Sequence, residues 1–75
     1  LERLTEKQTK YVAELAEGKS TKQIALDNSV SHHTIRNTLR NARLRLDCPN
    51  SISLVATAIC ENMIVKTESG FSPNI

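Results

Sequence analysis

Large aromatic residues are nearly missing from this chain: among its 75 residues Tyr11 and Phe71 are the only Phe, Tyr or Trp. Gripping single-stranded nucleic acid by base stacking needs a platform of exposed rings, so that class of function is argued against. Cysteine is as scarce. Cys48 and Cys60 form no C-x-x-C pair and belong to no Cys/His set with metal-site spacing, so two small thiols in a reducing compartment are expected, and no metal. No apolar run approaches a membrane span, and no signal-peptide pattern is present. Neither a nucleophile–base set nor a GxxxxGK[ST] phosphate loop occurs, and so short a chain cannot wall a pocket around such groups. Neither an enzyme nor a bound cofactor is expected.

Acidic residues are missing from one stretch in particular. Residues 31–46, SHHTIRNTLRNARLRL, hold Arg36, Arg40, Arg43 and Arg45 and no carboxylate. Residues 1–30 balance five basic groups against five acidic ones, and residues 47–75 carry a net −2. The whole positive excess therefore sits in one segment, a local footprint for a polyanion. Wound as a helix, the segment places Ile35, Leu39, Ala42 and Leu46 on one apolar stripe. Arg36, Arg40 and Arg43 run beside that stripe, about 100° further round. One face can be buried while its neighbour presents guanidinium groups. A helix preceded by a short polar break and another helix is the layout of a helix-turn-helix.

The remaining segments supply the other helices. Thr5 with Gln8 three residues on is a capping box, Leu4 a candidate staple, and Tyr11, Val12, Leu15 and Ala16 an apolar face that ends at Gly18. Ser20 with Gln23 repeats the start signal for a short helix over residues 21–28, with Ile24 and Ala25 inward. Asn28-Ser29-Val30 makes the turn, with Val30 plugging the core, and Ser31 caps the third helix. Asp47-Cys48-Pro49-Asn50 breaks it, since Pro49 disfavours helical geometry just before it. A fourth helix then runs from Asn50 or Ser51 to about Met63. Ile52, Val55, Ala56 and Ile59 form one stripe on it; Leu54, Ala58 and Met63 form a second apolar edge. The expected domain is residues 1–64, all-α with four helices. Residues 65–75 have no period and read as a flexible tail. A chain that starts at Leu1 is expected to be part of a longer protein.

Leu4-Thr5, Gly18, Ser20-x-Lys22-x-Ile24-Ala25, Val30-Ser31, Thr34-Ile35 and Leu46 stand at the spacing of the LuxR-type (GerE-type) DNA-binding domain, and over residues 4–63 the chain resembles that family. The resemblance implies a four-helix domain of a bacterial transcription regulator, in the cytoplasm at the nucleoid. Its partners would be double-stranded DNA and a second copy of the chain, with a contact to RNA polymerase also open to it. Two such domains would read an inverted repeat, with recognition helix 31–46 in the major groove. Carried over, base contacts fall on Arg36, Asn37 and Arg40. Their chemistry agrees: arginine forks onto guanine O6 and N7, and asparagine pairs with adenine N6 and N7. Phosphate contacts carried over fall on Lys22, Ser31, Thr34, Arg43 and Arg45; His33 is added to them from its place in the first turn of the third helix. The dimer seam is expected on Leu54, Ala58 and Met63.

Two other readings fit parts of the pattern. Thr34-Ile35 and Asn41 to Leu46 would also suit a sigma-factor region-four promoter-binding module, although a helix after residue 50 argues against it. A protein-interaction module that has lost DNA binding is the other. Its motivation is the turn, where Asn28 and Ser29 replace the usual Leu and Gly of the family.

Overall fold

The computed structural model describes residues 3–74. The outermost residues of the expected domain and tail, Leu1, Glu2 and Ile75, lie outside the described residues. The chain forms α1 (Glu6–Ala16), α2 (Thr21–Asp27), α3 (His32–Arg45), α4 (Ser51–Cys60), β1 (Ile64–Thr67) and β2 (Gly70–Pro73). α1 sits in the middle and packs against each of the other five elements. Its first turn is closed by the expected capping box: Gln8 N donates to Thr5 Oγ1 at 3.2 Å, and Thr5 N donates to Gln8 Oε1 at 2.9 Å. Ser20, Ser31 and Asn50 each accept a hydrogen bond from the backbone two or three residues into their helices. At α2 the cap is not reciprocal. The Gln23 side chain turns forward and donates to Asp27 at 2.8 Å.

All four helices end in the same way. After a cap residue the next residue takes positive φ: Gly18 (95°), Ser29 (55°), Asp47 (56°) and Asn62 (57°). The amide one residue further returns to the last turn, as Lys19 N to Glu14 O, Val30 N to Ala25 O, Cys48 N to Arg43 O, and Met63 N to Ala58 O. These are Schellman closures. They make the chain reverse within about three residues, and three of them bring the following side chain (Val30, Cys48, Met63) onto the core. At α1 the following residue is Lys19, and a salt bridge replaces the apolar contact: its ammonium lies 3.3 Å from Glu14 and 3.1 Å from Asp27. Asn28 Nδ2 reaches the same Glu14 carboxylate at 3.0 Å. The turn in front of α3 therefore forms with serine in place of glycine, held by polar contacts to α1.

The core contains Val12, Ile24, Ile35, Leu39, Ala42, Leu54, Ala58, Met63 and Ile64. Ile35, Leu39 and Ala42 of the apolar stripe on α3 are buried as expected, and Leu46 is half-buried. Three expectations about the C-terminal part are corrected. α4 stops at Cys60, not at about Met63, because Asn62 adopts the left-handed conformation. Leu54, Ala58 and Met63 are at most 2% exposed inside this domain's own core, so they are not available as a seam. The exposed apolar residues of α4 are Ile52, at 83%, and Ile59, at 43%, with Ala56 between them. The two faces of α4 are thus largely the reverse of the expected ones: the narrow Leu54/Ala58 edge is buried, and of the broader stripe Ile52, Ala56 and Ile59 face out while Val55 packs on the core.

The third correction concerns the tail. Residues 64–73 form an antiparallel hairpin in which Ile64 opposes Pro73 and Thr67 opposes Gly70. Ile64 is fully buried, and Phe71 packs on the core. Phe71 N donates to Glu17 Oε2 at 3.2 Å, and Asn74 N donates to Met63 O at 2.9 Å. Gly70, at φ 139°, lies so close to the Glu17 carboxylate that any Cβ there would collide with it. The described fold is therefore mostly helical, with a two-stranded addition.

Two outcomes follow. Ser29→Gly is expected to stabilise the domain by about 0.5–1 kcal/mol, since the left-handed strain it relieves exceeds the added chain entropy; urea denaturation reads this directly. The acid limb is set partly by Asp27, whose pKa lies below its ordinary value because Gln23 and then Lys19 hydrogen-bond its carboxylate. A depressed carboxylate contributes stability above its unfolded value, and that contribution is lost as pH falls through the folded one. Melting temperatures of wild type and Asp27→Asn are thus expected to differ near pH 6, and the difference to shrink as pH falls from about 4 through the lower folded value.

Candidate nucleic-acid interface

α3 is presented to solvent by what lies behind it. Its buried stripe rests on α1, α2 and α4, and this fixes which side faces outward. His33, Arg36, Asn37, Arg40 and Arg43 line one open cleft along that side. A second cleft adjoins it, where Arg36, Arg40 and Arg43 meet Thr21 and His32 at the starts of α2 and α3 and Ser51 at the start of α4. Five of the expected contact residues are thus brought together. Among the described residues no carboxylate pairs with any of these three arginines.

The polar side chains at this surface are ordered by short-range bonds. His32 Nε2 and Thr21 Oγ1 share a hydrogen bond of 2.6 Å, which ties the start of α3 to the start of α2. Asn37 Nδ2 and His33 Nε2 lie 3.1 Å apart, one helical turn from each other. Ser31 Oγ accepts from Thr34 N at 3.1 Å and shares a second bond with Thr34 Oγ1 at 2.8 Å, so both residues close the cap and remain exposed. Lys22 is exposed in the first turn of α2 but lines neither cleft. Arg43 reaches toward Pro49 O at 3.4 Å.

Arg45 stands apart. Nine residues beyond Arg36, it lies about 180° round the helix. Its Nε donates to Arg3 O at 2.6 Å, so it fastens the segment before α1 to the end of α3. Arg43 and Arg45 both favour a helix C-terminus electrostatically, but only Arg43 belongs to the cationic row. The angular arithmetic could have separated them from sequence. Leu44, 69% exposed at the far end of the outward side, was not singled out from the sequence. Its alternation with the arginines hides it.

Among the described residues no group of three or more His, Cys, Asp or Glu could hold a metal ion, and no helix is long and apolar enough to cross a membrane. What the arrangement offers is a convex helix with a cationic and amide-bearing face about three turns long, flanked by the starts of two other helices. A groove lined with phosphates and hydrogen-bonding edges is its chemical complement.

Comparison with known proteins agrees with that complement. The family model described as bacterial regulatory proteins, luxR family (GerE), matches residues 2–58. No curated protein and no solved structure matches the chain.

Proposed function

The chain belongs to the luxR family of bacterial regulatory proteins, and on that premise we propose that it reads a specific sequence in double-stranded DNA with α3 in the major groove. The family is one of DNA-binding transcription regulators. What supports the finer reading is the single cleft that gathers His33, Arg36, Asn37, Arg40 and Arg43 on the exposed side of α3. Arg36, Asn37 and Arg40 offer base-edge chemistry, a guanidinium fork for guanine and an amide for adenine. Arg43, with Lys22, Ser31, Thr34 and the side of His33 away from the groove, meets the phosphates. Arg45 is assigned no phosphate, because it is held by Arg3 on the opposite side.

The protein works as a dimer on an inverted repeat in this reading, with the seam on Ile52, Ala56 and Ile59. These residues stand at i, i+4 and i+7, the spacing of one helix face, and they are the apolar side chains that α4 leaves exposed. A seam of one short helix buries little area, so dimerisation is expected to be strongest on DNA. The location is cytoplasmic, at the nucleoid.

Selection of bound duplexes from a random pool tests the core of this reading. Arg36→Ala and Arg40→Ala are each expected to cost about 1–3 kcal/mol and to relax preference at one base pair each. Unchanged affinity and preference in both variants would remove α3 from the groove. For the dimer, Ile52→Glu with Ile59→Glu is expected to leave half-site binding intact and to abolish the two-to-one complex on an inverted repeat. Analytical ultracentrifugation of the DNA complexes distinguishes these outcomes.

A further inference from the structure

The core side of α3 repeats at Ile35, Leu39, Ala42 and Leu46. Two residues before each of these stand His33, Asn37, Arg40 and Leu44, a second line with the same spacing about 200° round the helix. That line therefore runs opposite the core. His33, Asn37 and Arg40 line the open cleft on this side. Leu44 continues the line toward the end of the helix and is 69% exposed. Among the described residues it is the only large apolar side chain that α3 leaves in solvent.

An exposed leucine is ordinary on a protein surface, but the setting of this one is not. Arg40, Arg43 and Arg45 all stand within four residues of it, and residues 31–46 hold no carboxylate. A protein partner takes an apolar patch, and α3 offers a single apolar group among cations. A polyanion drawn to those cations suits it if its own surface carries single apolar groups. The major groove does: each thymine presents its 5-methyl group there, and cytosine presents none. We infer that Leu44 is a specificity-determining residue that packs on the 5-methyl group of a thymine. This rests on the reading of α3 as the helix in the major groove, proposed above.

The helix also sets where that thymine lies. Asn37 and Leu44 are seven residues apart on one line, about 10 Å along the axis. At about 3.4 Å for each base pair, the thymine stands roughly three pairs from the one that Asn37 reads. The contact is one of burial: it needs the isobutyl group on one side and the methyl group on the other. Removing either loses the same interaction, so the two losses do not add. The arginines supply attraction to any sequence, and the leucine supplies a preference at one pair.

The test uses the whole chain and duplexes selected from a random pool. Leu44→Ala and Leu44→Asn are each expected to relax one thymine column and to melt as wild type does, since the side chain is exposed. On the selected duplex that thymine is then replaced by deoxyuridine, which removes the methyl group and leaves the base-pairing edge unchanged. Wild type is expected to bind about fourfold more weakly, the effect of one buried methyl group. Both Leu44 variants are expected to bind the two duplexes equally. With a cytosine·guanine pair at the same position, 5-methylation of the cytosine is expected to tighten wild type by a similar factor and the variants not at all. An equal uracil penalty in wild type and variants, or no thymine column relaxed by either variant, overturns the inference. If Arg36→Ala and Arg40→Ala still relax their own columns in that case, the major-groove reading stands without it. If they relax none, that reading fails and the inference with it.

Discussion

Four left-handed residues hold this architecture together. Helices of 7 to 14 residues cannot enclose a core unless the chain doubles back at once after each of them. Gly18, Ser29, Asp47 and Asn62 achieve this with the same hydrogen-bonded closure. Only the first is a glycine, so the other three hold conformations that cost L-residues free energy, least for asparagine and aspartate. Side-chain contacts offset that cost. Asn28 and Lys19 bind Glu14 beside the Ser29 turn, and Met63 enters the core directly after Asn62. The orientation of α3 depends on the Ser29 turn in particular, because that turn sets the angle at which its buried stripe meets α1 and α2.

Electrostatics are divided between two regions. Lys19 is surrounded by Glu14, Glu17 and Asp27, and its pKa is raised, first by hydrogen bonding to Asp27 and then to Glu14. That cluster joins α1 to α2, and through Glu17 to the hairpin. The arginines of α3 lie outside it. Carboxylates are engaged in holding the framework, while the cationic row keeps its charge for a polyanion. A chain of net charge +2 thus presents a much stronger field along one helix than its total implies.

The helical part was legible in the sequence because its signals are local. A cap side chain acts within three residues, and an apolar stripe repeats every turn, so α1, α2, α3 and the buried Ile24, Ile35 and Leu39 could be read directly. The row of Arg36, Arg40 and Arg43 was legible for the same reason. α4 was read with its faces reversed. Its sequence is apolar nearly all round, so periodicity could not say which side meets α1, and the small Ala58 beside Leu54 allows the closer approach. The hairpin was missed because each strand has four residues and no clear alternation. The Ile64-Val65 pair with Thr67 before Ser69-Gly70 was the available signal. Arg45 was misplaced by treating the basic end of α3 as one patch.

The hairpin also bears on how such a domain tolerates crowding. In an antiparallel pair, successive residues point alternately toward and away from the partner strand. Phe71 points outward from β2 to Glu17, so position 73 points outward as well. The first of these N–H groups is occupied, and the second does not exist because the residue is proline. The outer side of β2 therefore offers no free donor to an incoming strand. Regulators that gather on neighbouring operators meet at high local concentration, where an exposed sheet edge would recruit further copies into fibres. Here the outer side of β2 lacks the donors that such growth would need.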